Sequence, residues 1–297
     1  MPIIAYRNVL QGLTVGEAMR RQIIDLPQEA SLEQAVRYSI KYKVNAILIT
    51  GAAQAGLGVV SKTDLMGAYY AGLPIDTPCE LVMMGPPLFC RAEETLDAAL
   101  DAMRRHRVHR LYVRGDASRR AGGVLAYPDI VGILYRYCIN CRKSIRLQSG
   151  AAPQPDRFRV REVMTPEIYA LHAEDSLQTV MEGLAAHRFG AVLIRDGEGQ
   201  PAGVVSKTDL IMAYKHGLPA SAPARLVMNG PVQVVEKDEP LVDALKTMIF
   251  ADVQRLFVYQ GTPRNLVGIL SLSDVARFRS GTCRACLISR IKLEGGP

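Results

Sequence analysis

The chain has 297 residues, 48% of them hydrophobic and 22% charged, with a formal net charge of +7. That length fits about two domains, and the balance is ordinary for a globular chain able to bury real cores. No stretch approaches the roughly 18 to 20 apolar residues of a membrane span, and Met1-Pro-Ile-Ile-Ala-Tyr-Arg7 does not open a leader with a long apolar core. The expected location is the cytoplasm.

The elements read in chain order as four similar segments. In the first, Leu32, Val36 and Ile40 mark an amphipathic helix that leads to the apolar run Ala46-Ile-Leu-Ile49. In the second, Leu96, Ala99, Leu100 and Met103 lead to Leu111-Tyr-Val113. The polar, Pro-containing stretch Ser149-Gly-Ala-Ala-Pro-Gln-Pro-Asp156 reads as a linker. The third segment is the clearest. Ile168-Tyr-Ala-Leu-His172 predicts a short strand, and Asp175-Ser-Leu177 opens a helix through Val180, Met181, Leu184 and Ala185. Ala191-Val-Leu-Ile194 predicts a buried strand, and Asp196 to Pro201 is turn chemistry before a strand at Gly203-Val-Val205. A second helix opens at Ser206-Lys-Thr-Asp209 and stops at Gly217-Leu-Pro219. In the fourth, Leu241, Ala244, Leu245 and Met248 lead to Leu256-Phe-Val258. The predicted class is α/β (α+β), with the order strand, helix, strand, strand, helix.

The segments are related by duplication. Gly58-Val-Val-Ser-Lys-Thr-Asp-Leu65 recurs letter for letter as Gly203 to Leu210, an offset of 145. The match continues through Gly72-Leu-Pro74 with Gly217-Leu-Pro219 and Leu81-Val-Met83 with Leu226-Val-Met228. Within each half, Gly58 to Asp64 aligns with Gly123 to Asp129, and Gly203 to Asp209 with Gly268 to Asp274, at an offset of 65. A quarter alone would be marginal, so the quarters are expected to fold in pairs. The predicted units are 13–78, 79–146, 158–223 and 224–289, with tails outside them.

The repeated motif carries chemistry of its own. Ser206 stands where a helix begins, with free backbone N–H groups and the positive end of the dipole, so a phosphate there would meet Ser206, Thr208 and the backbone. Asp209, an acceptor-only carboxylate one turn in, could receive both hydroxyls of a ribose. The same Ser-x-x-Asp is also a helix-capping arrangement, and one residue can serve both.

Four such units closing on Gly-hydrophobic-hydrophobic-Ser-x-x-Asp resemble CBS domains, named for cystathionine beta-synthase, arranged as two Bateman modules over residues 14 to 280. The resemblance implies two intramolecular pairs packed as a flat disc, which one chain could complete as a monomer without excluding a homodimer. It also implies adenosine nucleotides in the clefts between paired domains. By position this implicates Ser61, Thr63 and Asp64; Ser206, Thr208 and Asp209; and Ser271, Ser273 and Asp274. The second unit departs, because Ala126 and Pro128 replace the hydroxyls and only Asp129 remains, so that site is expected to be empty or to bind differently. Adenine-holding segments map to Thr165 to Ile168 with Phe189-Gly-Ala191, and to Ile23-Ile24 with Val44-Asn-Ala46. Arg107, His109, Arg110 and Arg255 are placed to reach phosphates across the cleft or to be solvated beside a strand.

Cys138-Ile-Asn-Cys141 and Cys283-Arg-Ala-Cys286 are predicted at or just beyond the last helix of each pair. At that spacing the sulfurs could form a shared zinc site, a redox dithiol or structural thiols. Cys79 and Cys90 have no counterparts in the other half and read as core or loop thiols. The five histidines have no nucleophile partner at a catalytic spacing, and no phosphate-binding or dinucleotide loop is present, so no enzyme is expected. Basic runs at Arg104-Arg-His-Arg107, Arg119-Arg120 and Arg136 to Arg146 read as solvated faces, and nucleic-acid binding rests on charge alone. The expectation is a regulatory sensor of AMP, ADP or ATP that signals to a protein partner. S-adenosylmethionine is an alternative ligand, and a metal- or redox-sensing module built on the cysteine pairs an alternative function.

Overall fold

The computed structural model describes residue 10 and residues 12–115, 120–148 and 157–278, with backbone alone for 140–148. The first pair contains α1 (Val15–Ala18), β1 (Asp25–Pro27), α2 (Leu32–Lys41), β2 (Ala46–Thr50), β3 (Gly56–Ser61), α3 (Lys62–Tyr70), β4 (Phe89–Cys90), α4 (Leu96–Arg105), β5 (Arg110–Arg114), β6 (Ala121–Ala126) and α5 (Tyr127–Gln148). The second pair contains β7 (Ala170–His172), α6 (Leu177–Ala186), β8 (Ala191–Arg195), β9 (Pro201–Ser206), α7 (Lys207–Lys215), β10 (Val234–Glu236), α8 (Leu241–Phe250), β11 (Arg255–Gln260), β12 (Thr262–Ser271) and α9 (Leu272–Phe278). Each unit forms a three-stranded sheet in sequence order, with its first two strands parallel and its last two antiparallel. This is the predicted strand, helix, strand, strand, helix unit.

The register decides what stands beside each motif. The first residue of each middle strand pairs with the last residue of the third strand: Ala46 with Ser61, Arg110 with Ala126, Ala191 with Ser206, and Arg255 with Ser271. The first and third units therefore place alanine next to the motif, and the second and fourth place arginine.

Within each pair the leader segments are exchanged. Val15 and Gly16 donate to the carbonyls of Glu94 and Ala92 in the second unit, while Cys79 and Glu80 donate to Ala30 and Gln28 in the first. In the second pair Val160 and Arg161 donate to Glu239 and Lys237, and Ala224 and Arg225 to Asp175 and Ala173. This interlocking explains why a quarter is not a folding unit: part of its core is supplied by its neighbour. Leu10, Val15 and Phe158, all from leaders, are buried in a core shared by the second and fourth units, and the leader residues Cys79 and Ala224 are buried in a core shared by the first and third.

The exchange also explains the glycine that opens each motif. Val59, Val124, Val204 and Ile269 each bridge to a returning leader, at Met84, Arg20, Asn229 and Thr165. The residue just before each is Gly58, Gly123, Gly203 or Gly268. A Cβ on Gly268 would stand 2.7 Å from the Thr165 carbonyl oxygen, and one on Gly203 would stand 2.9 Å from that of Asn229. A side chain would push the leader off the sheet.

The structure differs from the sequence reading at the first Cys-x-x-Cys pair. Cys138 and Cys141 lie inside α5, not at its end, because no proline or glycine interrupts residues 133–148. The side chain of Cys141, and all of Cys283 and Cys286, lie outside the described residues. Among the described residues no group of three or more His, Cys, Asp or Glu side chains is placed to hold a metal. Nor is any described helix long and apolar enough to cross a membrane. Cys79 and Cys90 are buried, and burial pushes both thiols up to about 11.

Gly268→Ala is expected to destabilise the chain by about 1–3 kcal/mol, the usual cost of overpacking against backbone. Gly67 lies exposed in α3 with nothing within 4 Å of a Cβ, so Gly67→Ala should be neutral or stabilise by about 0.5–1 kcal/mol. Urea denaturation of the two variants beside the wild type checks both signs.

Candidate functional site

The motif helices α3, α7 and α9 begin alike. Ser61 donates through its backbone N–H and its hydroxyl to Asp64 Oδ2, both at 2.7 Å. Ser206 donates to Asp209 Oδ2 at 2.7 and 2.6 Å, and Ser271 to Asp274 Oδ2 at 3.0 and 2.6 Å. The motif serines thus hold the carboxylates in place, and each acid satisfies an N–H at its helix start. No hydrogen bond to the second oxygen of Asp64 or Asp274 occurs among the described residues. Asp209 differs, because its Oδ1 accepts from Asn229 Nδ2 at 2.7 Å. Ser273 Oγ is 2.7 Å from Ser271 Oγ.

The second unit differs as its sequence does. Asp129 Oδ2 accepts from the Ala126 N–H at 2.9 Å, and Oδ1 pairs with Arg20 Nε at 2.7 Å. Burial raises the Asp129 carboxyl, with Arg20 opposing that shift. A ribose would have to displace Arg20 to reach this acid.

The threonine hydroxyls are engaged across the molecule. Helices α3 and α7 pack on one another, and Lys62 Nζ donates to Thr208 Oγ1 at 2.9 Å while Lys207 Nζ donates to Thr63 Oγ1 at 2.8 Å. Burial lowers both ammonium groups, Lys62 to about 8, with Asp209 opposing the shift on Lys62 and Asp64 that on Lys207. Arg110 adds to the lowering at Lys62 and Arg255 at Lys207. Burial also pushes Arg255 down to about 10, opposed by Asp274. His109 is lowered by burial and then by Arg277, Lys207, Arg110 and Arg255. Lys62, Lys207, Arg20, Arg110, Arg255 and Arg277 share one electrostatic neighbourhood and outnumber the carboxylates Asp64, Asp129, Asp209 and Asp274 that oppose them, while the lowered His109 is neutral at pH 7. An anion placed among them would relieve both the repulsion and the desolvation.

A cleft with an enclosed volume of about 70 Å³ opens beside this centre, between the first and second units. Ile23, Ile24, Val44 and Ala46 of the predicted set line it, together with Arg110. Arg110 Nη1 crosses from β5 to donate to the Ala46 carbonyl at 2.6 Å. Arg20, Gln22, Tyr42, Tyr112 and Val124 complete the wall. In the other pair, Arg255 lies against Gly190, where a Cβ would collide with its guanidinium. Ala191 is buried at the start of β8, Ile168 is half-buried ahead of β7, and Thr165 exchanges backbone hydrogen bonds of 2.8 Å with Ile269.

Lys62, Lys207, Arg20 and Tyr112 are absent from the sequence-predicted set. The lysines had a signal: the motif's second position is Lys62 and Lys207 in the units that face each other, but Tyr127 and Leu272 in the other two. Arg20 and Tyr112 had none, since each reaches its partners only through the pairing of two units.

Residues 15–71, 79–136, 160–216 and 224–281 each match the CBS domain family. The chain belongs to the CBS domain family. A curated relative, the uncharacterized protein MJ1404 of Methanocaldococcus jannaschii, is 24% identical over 195 residues, covering 61% of this chain and 44% of that protein. The chain spans between 44% and 60% of the length of the curated relatives it matches. Among solved structures, MJ1225 from M. jannaschii, described as a putative archaeal homolog of g-AMPK, superposes with a TM-score of 0.74 at 14% identity, covering 90% of this chain and 99% of that one. The CBS domain protein PAE2072 from Pyrobaculum aerophilum, solved complexed with AMP, is 25% identical over 39% of this chain and 89% of its own, with a TM-score of 0.37. CBS domains are typically non-catalytic regulatory modules.

Because Lys62 sits lower folded than unfolded, the folded chain binds fewer protons between about pH 8 and 10.5, and this residue's contribution to stability rises with pH through that window. Lys62→Met should therefore raise the thermal midpoint of the ligand-free protein at pH 7, with the gain shrinking as pH rises through the same window. Inorganic phosphate should raise the wild-type midpoint more than that of the variant. Thermal scans across pH, with and without phosphate, check both statements.

Proposed function

We propose that this chain is a non-catalytic sensor that binds adenosine nucleotides in the clefts between its paired CBS domains and reports occupancy to a partner protein. The observation that carries this reading is the convergence of Lys62, Lys207, Arg110 and Arg255 on the capped starts of α3 and α7, beside an apolar cleft. Cations of this density need an anion, and the apolar wall of Ile23, Ile24 and Val44 suits a flat base. Asp64 and Asp274, each held by its serine with one oxygen unbonded among the described residues, are suited to the two hydroxyls of a ribose.

The signalling step follows from the cross-molecule bonds. Lys62 is bonded to Thr208 of the opposite pair and Lys207 to Thr63. A phosphate that draws these lysines away from the threonines alters the contact between the pairs. The ligand shifts the arrangement only by its difference in affinity for the two states.

Calorimetric titration with AMP, ADP, ATP and S-adenosylmethionine tests the reading. At least one should bind saturably, and Asp64→Ala or Asp274→Ala should weaken that binding by about tenfold or more, as expected for losing charged hydrogen bonds. Absence of binding by all four ligands would overturn the proposal.

A further inference from the structure

The internal duplication lets the wall of the first cleft be compared residue by residue with its counterpart 145 positions later. The apolar surface is matched, Ile23 by Ile168, Ala46 by Ala191 and Val124 by Ile269, and Arg110 is matched by Arg255. The polar surface is not. Arg20 is replaced by Thr165, Gln22 by Glu167 and Tyr112 by Phe257. The second wall is therefore more negative by two charge units, and it lacks the phenol.

Tyr112 is the informative difference. Tyr112 is 2% exposed, it lines the first cleft, and among the described residues its hydroxyl has no hydrogen-bond partner of good geometry. Arg110 lies beside it, but a guanidinium can only donate, so the phenol's own proton is left without an acceptor. Leaving a buried donor unused is costly, and Phe257 shows that the fold packs without it. A ligand oxygen between Tyr112 and Arg110 would receive two donors, one of them charged, which suits a phosphoryl group.

The second wall offers different contacts. At the counterparts of Ile24, Tyr42 and Val44 stand Tyr169, His187 and Phe189, whose rings follow one another with centroids 4.4 and 5.5 Å apart. Glu167 Oε1 lies 3.8 Å from His187 Nδ1. Aromatic faces beside a carboxylate favour a ligand that joins a flat base to a positive charge and carries no phosphate.

We propose that the two clefts take different ligand classes: the first a phosphorylated adenosine, one phosphoryl oxygen of which accepts from Tyr112, and the second an adenosine ligand without phosphates. This rests on the adenosine reading above, and S-adenosylmethionine, a cationic sulfonium, is the probe for the second class. Tyr112 is then the specificity residue of the first cleft.

The test uses the full chain with labelled isoleucine methyl groups, read by NMR during separate titrations with AMP and S-adenosylmethionine. Ile23 reports the first cleft and Ile168 the second. AMP should shift Ile23 at a concentration about tenfold or more below that needed for Ile168, and S-adenosylmethionine should reverse the order. Tyr112→Phe should weaken AMP at Ile23 by about tenfold, the loss of one hydrogen bond to a charged acceptor, while leaving Ile168 unchanged and the thermal midpoint equal or higher. The combined exchange Thr165→Arg, Glu167→Gln and Phe257→Tyr should bring AMP binding at Ile168 up to that of Ile23. Parallel saturation of both reporters by both ligands, or a Tyr112→Phe variant that binds AMP as the wild type does, overturns the assignment. If neither ligand shifts either reporter, the adenosine reading itself falls, and this assignment falls with it.

Discussion

The rest of the structure depends on the reciprocal contact between α3 and α7. Tyr69 and Tyr214 stack with centroids 5.2 Å apart and planes 19° apart, and each hydroxyl reaches a carbonyl of the opposite unit, Leu218 at 2.8 Å and Leu73 at 2.7 Å. At the other end of the same helices, Lys62 and Lys207 cross to Thr208 and Thr63. A duplicated chain that packs its halves about an approximate twofold axis meets each of its own choices twice. One lysine in the motif becomes two facing lysines, and one helix start becomes two positive dipole ends brought together. The gathering of cations is a consequence of that symmetry.

A centre of this kind is costly without a ligand. Buried cations that repel one another are tolerated only if the surrounding contacts exceed the penalty, and here the two cores carry that load. One joins the first and third units and the other the second and fourth, while the sheets and exchanged leaders join first to second and third to fourth. Every unit is thus held on two sides. The capped motif acids contribute to the same balance: each serine donates its hydroxyl to its own aspartate, which fixes the carboxylate.

The two pairs are alike in backbone and unlike in wall chemistry. Ala46 and Ala191 keep a small residue beside the motif, and Arg110 and Arg255 bring a guanidinium across from the neighbouring unit in both pairs. Side chains that face the clefts diverge, as Tyr112 and Phe257 do, without disturbing the pairing of strands. Duplication followed by substitution gives one scaffold two walls of different side-chain chemistry.

The order of strands and helices, the start of each motif helix and the Ser–Asp caps were legible in the sequence, because they depend on periodicity and on hydrogen bonds spanning three residues. The loss of hydroxyls at Ala126 and Pro128 likewise marked the second unit as different, and Arg20 now stands on its acid. The course of α5 through Cys138 was not legible in the sequence, since a helix end without proline or glycine is set by what it packs against. The exchanged leaders, the glycine fit against them, the reciprocal lysines and the unspent Tyr112 hydroxyl join residues from about 20 to about 145 positions apart. Local rules carry no information about which distant surfaces meet. The sequence by itself determined four repeated units and the chemistry of their motifs; tertiary packing alone decided which units face one another, and with that where the cations gather and which donors are left for a ligand.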